Sequence, residues 1–148
     1  MSELKTQVAD ATKTAMKARD KERVAVLRMV NAEFKRVEVD ERRELTDADV
    51  IGILNKMVKQ RQDALAQFQQ ASRDDLAAQE SMEIGVIQDF LPEQMSAEEL
   101  EALVDRAIAE TGAAGMGDMG KVMGAIKAAA QGSADMGRAS ALTKAKLS

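Results

Sequence analysis

The spacings most suggestive of chemistry fall in one run, residues 112–138, GAAGMGDMGKVMGAIKAAAQGSADMGR. Gly115, Gly117 and Gly120 satisfy G-x-G-x-x-G, and Gly115, Gly120 and Lys121 satisfy G-x-x-x-x-G-K. Both patterns bind phosphate by one device. A β-strand delivers a glycine turn whose N–H groups, with the positive end of a following helix, face the anion. Here the preceding residues, AIAETGAA, read as the end of a helix. The hydroxyl that would hold Mg²⁺ is replaced by Val122, which has no ligating atom, and no apolar strand ending in aspartate follows. A nucleotide site is therefore not expected.

What remains of the run is a short helix framed by glycine. Asp118 is placed to cap its start, since a carboxylate accepts the free N–H groups of a first turn. Gly132 is placed to end it, since glycine takes the left-handed conformation without a Cβ clash. Gly120, Gly124 and Ala128 recur every fourth residue and leave one face bare. Glycine in a helix costs about 1 kcal/mol against alanine, so something is expected close to the backbone there. Close packing of another helix, such as the one that follows, is the favoured expectation. The alternative is a phosphate chain met by Lys121 and Lys127. Met116, Met119, Met123 and Met136 are expected to fill core gaps rather than line a peptide groove. Asp118 and Asp135 are expected to be caps rather than paired catalytic acids. The basic run between Lys13 and Arg36 is expected to be a solvated helix face rather than a phosphate surface.

Missing residue types exclude more. The 148 residues contain no Cys and no His, which removes thiol chemistry, disulfides, the commonest general base and the commonest zinc ligand. Without Tyr or Trp, only Phe34, Phe68 and Phe90 remain, so stacking of single-stranded bases is not expected. A net charge of −4 and a pI near 5.0 confine any nucleic-acid contact to a local patch. No apolar run is long enough to span a bilayer, and Glu3, Lys5 and Asp10 interrupt any signal-peptide segment. The expectation is a cytoplasmic protein that does not enter a membrane.

The elements that must position these residues are all helices, because no segment alternates with period two. The first is expected over 3–19 after Ser2, with Leu4, Val8, Ala11, Ala15 and Met16 as its apolar stripe. The second is expected over 21–39 after Asp20, burying Val24, Leu27, Val30, Phe34 and Val37. Thr46 with Asp49 resembles a capping box for a third, to about residue 71, and Ser72 with Asp75 gives a similar start for a fourth. Glu80 and Glu83 fall near the buried side of that fourth helix. Pairing with Arg28, Lys59 or Arg61 is favoured over acid–base chemistry. Pro92 disfavours a helical Leu91, making 92–95 a linker. Ser96 with Glu99 is the clearest capping box, opening a fifth helix that buries Leu100, Leu103, Val104, Ala107 and Ile108 and ends at Gly112. The sixth buries Val122, Met123 and Ile126; the seventh, capped by Asp135, turns Leu142 and Leu147 inward. The fold class is all-α: an N-terminal four-helix bundle-like domain, 1–91, then a small C-terminal three-helix domain, 92–148. Residues 92–111 carry six acids against Arg106, a balance of −5, whereas residues 112–148 carry five cations against two acids, a balance of +3.

The segments LRMVNAEFKRVEVD, ELTDADVIGILNKMVKQRQDAL, SRDDLAAQESMEIGVIQDFLPEQMSAEEL and GDMGKVMGAIKAAAQGSAD resemble the YqeY family. That family is a stand-alone relative of the tail domain of GatB, a subunit of the tRNA-dependent Asp/Glu amidotransferase. The resemblance runs from about Leu4 to Leu147. Its most specific parts are Leu91–Pro92, GKVM at 120–123 and the Gly132…Ala134–Asp135 signature. It implies an all-helical, two-part fold and contact with the outer corner of tRNA through backbone and shape, with a tRNA-modifying or aminoacylating enzyme as a possible further partner. Gly120, Lys121, Gly132 and Asp135 take the signature positions. The family usually has a basic residue where this chain has Ser133, and Arg138, one helical turn beyond Ala134, is placed to supply that charge.

The expected RNA-binding set is Gly120, Lys121, Lys127, Gly132, Ser133, Arg138 and Lys144. No catalytic residue, metal or cofactor is assigned. The family's label is that of a carbon–nitrogen ligase with glutamine as amido-N donor. Activating and amidating a tRNA-borne carboxylate needs ATP, Mg²⁺ and an ammonia source, for which the sequence offers no site. The expectation is thus a non-catalytic tRNA-binding module or accessory factor. The alternative is a protein–protein adaptor that docks through its acidic fifth helix or its Met-rich helix.

Overall fold

Local signals at the helix ends set the architecture. In the computed structural model, which describes residues 2–148, the helices are α1 (Glu3–Lys17), α2 (Lys21–Glu41), α3 (Asp47–Gln70), α4 (Asp74–Gln88), α5 (Ala97–Thr111), α6 (Met119–Ala130) and α7 (Met136–Leu147), with a 3₁₀ turn, Met116–Asp118, before α6. No strand occurs among the described residues, so the fold is all-α. The Ser2 hydroxyl accepts the N–H of Lys5 at 3.1 Å and Asp20 that of Arg23 at 3.2 Å. Thr46 with Asp49 and Ser96 with Glu99 each close a reciprocal capping box. Such caps are worth about 1 kcal/mol apiece.

The fourth start differs from expectation. Ser72 has φ +56 and finishes α3, where the N–H of Arg73 reaches back to the Phe68 carbonyl at 2.9 Å. A left-handed Ser72 cannot also present its hydroxyl to the next helix. Arg73 stands at the α4 cap without a side-chain hydrogen bond, its guanidinium on Asp75 instead. Helix α1 also stops two residues early, at Lys17, and α2 continues two residues further, to Glu41.

The chain divides into two compact units, Met1–Leu91 and Pro92–Ser148. In the first, α1 pairs with α2, α3 with α4, and α2 lies on α4. Their shared core holds Val8, Leu27, Val30, Phe34, Val50, Leu54 and Ile87, all fully buried. Met16, expected inward, is 50% exposed, because it lies about 100° round the helix from the buried Ala15 before it and so to one side of the core face. Glu83 lies 3.6 Å from Arg61, both nearly buried, as the ion-pair reading of that helix expects. Burial first, then the charge of Glu83, raises the Glu80 carboxyl above the usual carboxylate range.

In the second unit α5, α6 and α7 pack on one another around Leu100, Leu103, Val104, Ala107, Val122, Ile126 and Ala139. Ala139 and Thr143 carry the buried face of α7 at 0% exposure, with Leu147 beside them; Leu142 is only half-buried. The Thr143 hydroxyl donates to the Ala139 carbonyl at 2.7 Å, which satisfies a polar atom inside an apolar cluster. Met119, Met123 and Met136 pack against this core, whereas Met116 is 44% exposed.

Candidate nucleic-acid interface

Helix α6 has one buried and one open side. At about 100° per residue, Val122, Ile126 and Ala130 fall on the core side, while Lys127, Gly120, Gly124, Ala128 and Lys121 follow one another across the opposite arc. All five of the latter are exposed. A Cβ built on Gly120 or Gly124 meets no atom within 4 Å. The expected packing of a helix on this strip is therefore absent: α7 meets α6 elsewhere, through Ala139 and its neighbours. The strip is bare backbone facing solvent, with a lysine along each edge.

The charges around it are unequally available. Lys121, Lys127 and Lys144 are exposed and have no ion-pair partner among the described residues. Arg138 is 73% exposed, with its Nε 3.8 Å from Oδ2 of Asp135. An exposed pair of that length is worth 0–1 kcal/mol, which a phosphate can outcompete. Lys146 belongs to the scaffold instead. Its ammonium bridges Glu101 at 3.3 Å and Asp105 at 2.7 Å on α5, and Asp105 above all holds its pKa above the usual lysine value. The positive balance of residues 112–148 is thus partly spent on the acidic helix beside it.

Asp118 does not cap α6 with its side chain. Its Oδ2 accepts the N–H of Ala114 at 3.0 Å, and its own N–H donates to the Gly115 carbonyl at 3.0 Å. A carboxylate thus closes the glycine loop on itself, where a phosphate-binding loop would leave N–H groups open. Asp135 does cap α7, accepting the N–H groups of Gly137 and Arg138 at 3.0 and 3.2 Å.

At the far end of α6, Gln131 (φ +49) and Gly132 (φ +88) make the left-handed exit. The Ser133 hydroxyl is turned inward, donating to the Ala130 carbonyl at 2.6 Å, and its own carbonyl accepts the Met95 N–H at 2.8 Å. Gln94 donates to the Gly132 carbonyl at 3.1 Å. Gly132 and Ser133 therefore stitch the segment before α5 to the α6–α7 loop, which is a structural task. Of the seven sequence-derived residues, Gly120, Lys121 and Lys127 share one open face. Arg138 and Lys144 are exposed on α7, and the other two hold the loop. Among the described residues no cluster of carboxylates is arranged to hold a metal ion, and no helix is long and apolar enough to cross a membrane.

An uncharacterized protein of Schizosaccharomyces pombe is 35% identical over 82 residues, 55% of this chain and 67% of that protein. A protein of Clavispora lusitaniae described as altered inheritance of mitochondria protein 41, mitochondrial, is 37% identical over 79 residues, 53% of this chain and 46% of its own length. The protein of that name in Pyrenophora tritici-repentis is 28% identical over 120 residues, 78% of this chain and 66% of its own. This chain thus spans about half to two thirds of the length of these relatives. The YqeY family, described as Yqey-like protein, matches residues 5–147, so the chain belongs to that family, the one related to the C-terminal tail domain of GatB.

Proposed function

We propose that this chain is a non-catalytic tRNA-binding module or accessory factor that works in the cytoplasm and grips the phosphate backbone with the open face of α6. The observation that carries the reading is the pairing of a bare Gly120–Gly124–Ala128 strip with two flanking lysines that no carboxylate neutralises among the described residues. An exposed glycine strip lets a polyanion approach the main chain, and unpaired ammonium groups release counterions when they meet phosphate. Arg138 and Lys144 extend the positive surface. With three phenylalanines and no other aromatic residue, recognition rests on backbone and shape. The relation of the family to the GatB tail supports tRNA as the polyanion and a tRNA-modifying or aminoacylating enzyme as the further partner.

The test is a titration of folded tRNA at two salt concentrations. Binding should weaken steeply with salt, and Lys121→Ala with Arg138→Ala should reduce the slope of log K against log salt by about 2. Affinity indifferent to salt and to both substitutions would favour an adaptor that docks proteins through the acidic outer face of α5.

A further inference from the structure

A second surface, within the first unit, lies at the α1–α2 turn. Lys21, Val24, Ala25 and Arg28 stand at i, i+3, i+4 and i+7 on α2, a stripe on the far side of the helix from Val26, Leu27 and Val30, which face the core; of the four, the half-buried Val24 reaches back to that core. Met16 at the end of α1 and Arg19 in the turn complete a groove of about 400 Å³. Its floor is apolar, made by Met16, Val24 and Ala25, and its rim is three arginine or lysine side chains. Arg19, Lys21 and Arg28 are exposed and have no ion-pair partner among the described residues. Nearby Arg23 is different, its guanidinium lying 3.0 Å from Asp89. Residues 13–28 hold six cations against Asp20 and Glu22, a balance of +4 in a chain whose total is −4.

An apolar floor inside a cationic rim is complementary to one kind of partner. We infer that this groove docks an amphipathic helical segment of a partner protein, with leucine-like side chains on Met16 and Val24 and carboxylates on Lys21, Arg28 and Arg19. Methionine suits such a floor because its unbranched, polarisable side chain adapts to the side chain it meets. Phosphate alone would use the rim and leave the floor wet, which is why a protein partner fits better than RNA. The inference goes beyond tRNA binding and concerns different residues in a different unit.

The probe is a fluorescein-labelled 14-residue peptide with leucines at helical spacing and glutamates on either side. It is compared with a scrambled peptide of equal composition and with a lysine-flanked version, using the full chain. The glutamate peptide should bind at least about tenfold more tightly than the scrambled one. Lys21→Glu with Arg28→Glu should abolish that preference and transfer it to the lysine-flanked peptide. Met16→Gln, close in size and neutral, should weaken the glutamate peptide severalfold by placing a polar amide on the apolar floor without changing the charge of the rim. These positions are exposed, and an unchanged circular dichroism spectrum verifies folding. Absence of binding at about 1 mM, equal binding of the scrambled peptide, or insensitivity to the charge reversal overturns the inference. So does a loss of folded-tRNA affinity in the Lys21→Glu, Arg28→Glu variant as large as the loss for the peptide, which would make the groove an RNA surface.

Discussion

Replacing Gly124 by alanine separates a packed strip from an open one. Gly124 lies in the middle of α6, and a Cβ there meets no atom within 4 Å. Alanine therefore adds no clash and removes the excess conformational freedom of glycine from the unfolded chain. The gain is about 0.8–1 kcal/mol. Hydrogen exchange at the amides of Val122 and Ile126, which lie in the core of the second unit, reads that unit alone. Where those amides exchange by global opening of the unit, Gly124→Ala should slow them about fivefold, since 1.4 kcal/mol is a factor of ten. Ala128→Gly, on the same face, should accelerate them by a similar factor. Faster exchange in Gly124→Ala would refute the reasoning, because it would mean that a neighbour packs on the strip. The same site tests function from the other side. Gly124→Leu should leave the fold intact yet weaken tRNA binding by holding the phosphate chain away from the helix.

Other consequences can be checked separately. Ser133→Arg removes the bond to the Ala130 carbonyl, costing about 1 kcal/mol in chemical denaturation, but should steepen the salt dependence of tRNA binding by about one unit. Thr46→Ala should cost about 1 kcal/mol of stability in urea unfolding through loss of the α3 capping box. Glu80 has a folded pKa raised by burial, so the stability tied to its protonated form is present below the unfolded carboxylate pKa and lost as pH rises through the folded one. Glu80→Gln should therefore stabilise the protein at neutral pH, by less than about 1 kcal/mol given solvent screening, and give no gain near pH 3 in thermal melts.

Most of the helices were legible in the sequence because their signals are local. Ser2, Asp20, Thr46–Asp49, Ser96–Glu99 and Asp135 act within three residues of their partners, and Pro92 acts on its immediate neighbour. Ser72 misled because a serine after a helix can finish that helix or start the next, and the choice depends on a backbone turn that composition does not encode. Asp118 misled for a related reason: its carboxylate finds Ala114 behind it before the N–H groups ahead. Ala139 and Thr143 escaped notice as core because small residues give little apolar signal even when fully buried. Lys146 entered the +3 balance of residues 112–148, but its charge is met by Glu101 and Asp105, which stand more than forty residues away and so leave no local signal. On α6 the spacing of Gly120 and Gly124 was plain. What faced them was not, since packing and open solvent both tolerate glycine.

The most direct test of the open α6 face is an amide NMR titration of the ¹⁵N-labelled protein with folded tRNA. Gly120, Lys121, Gly124 and Lys127 should shift or broaden first, followed by Arg138, while Val8, Leu54 and the other core amides of the first unit stay in place. Perturbation confined to the α1–α2 turn, or a spectrum unchanged at saturating tRNA, would contradict the assignment of the polyanion to α6.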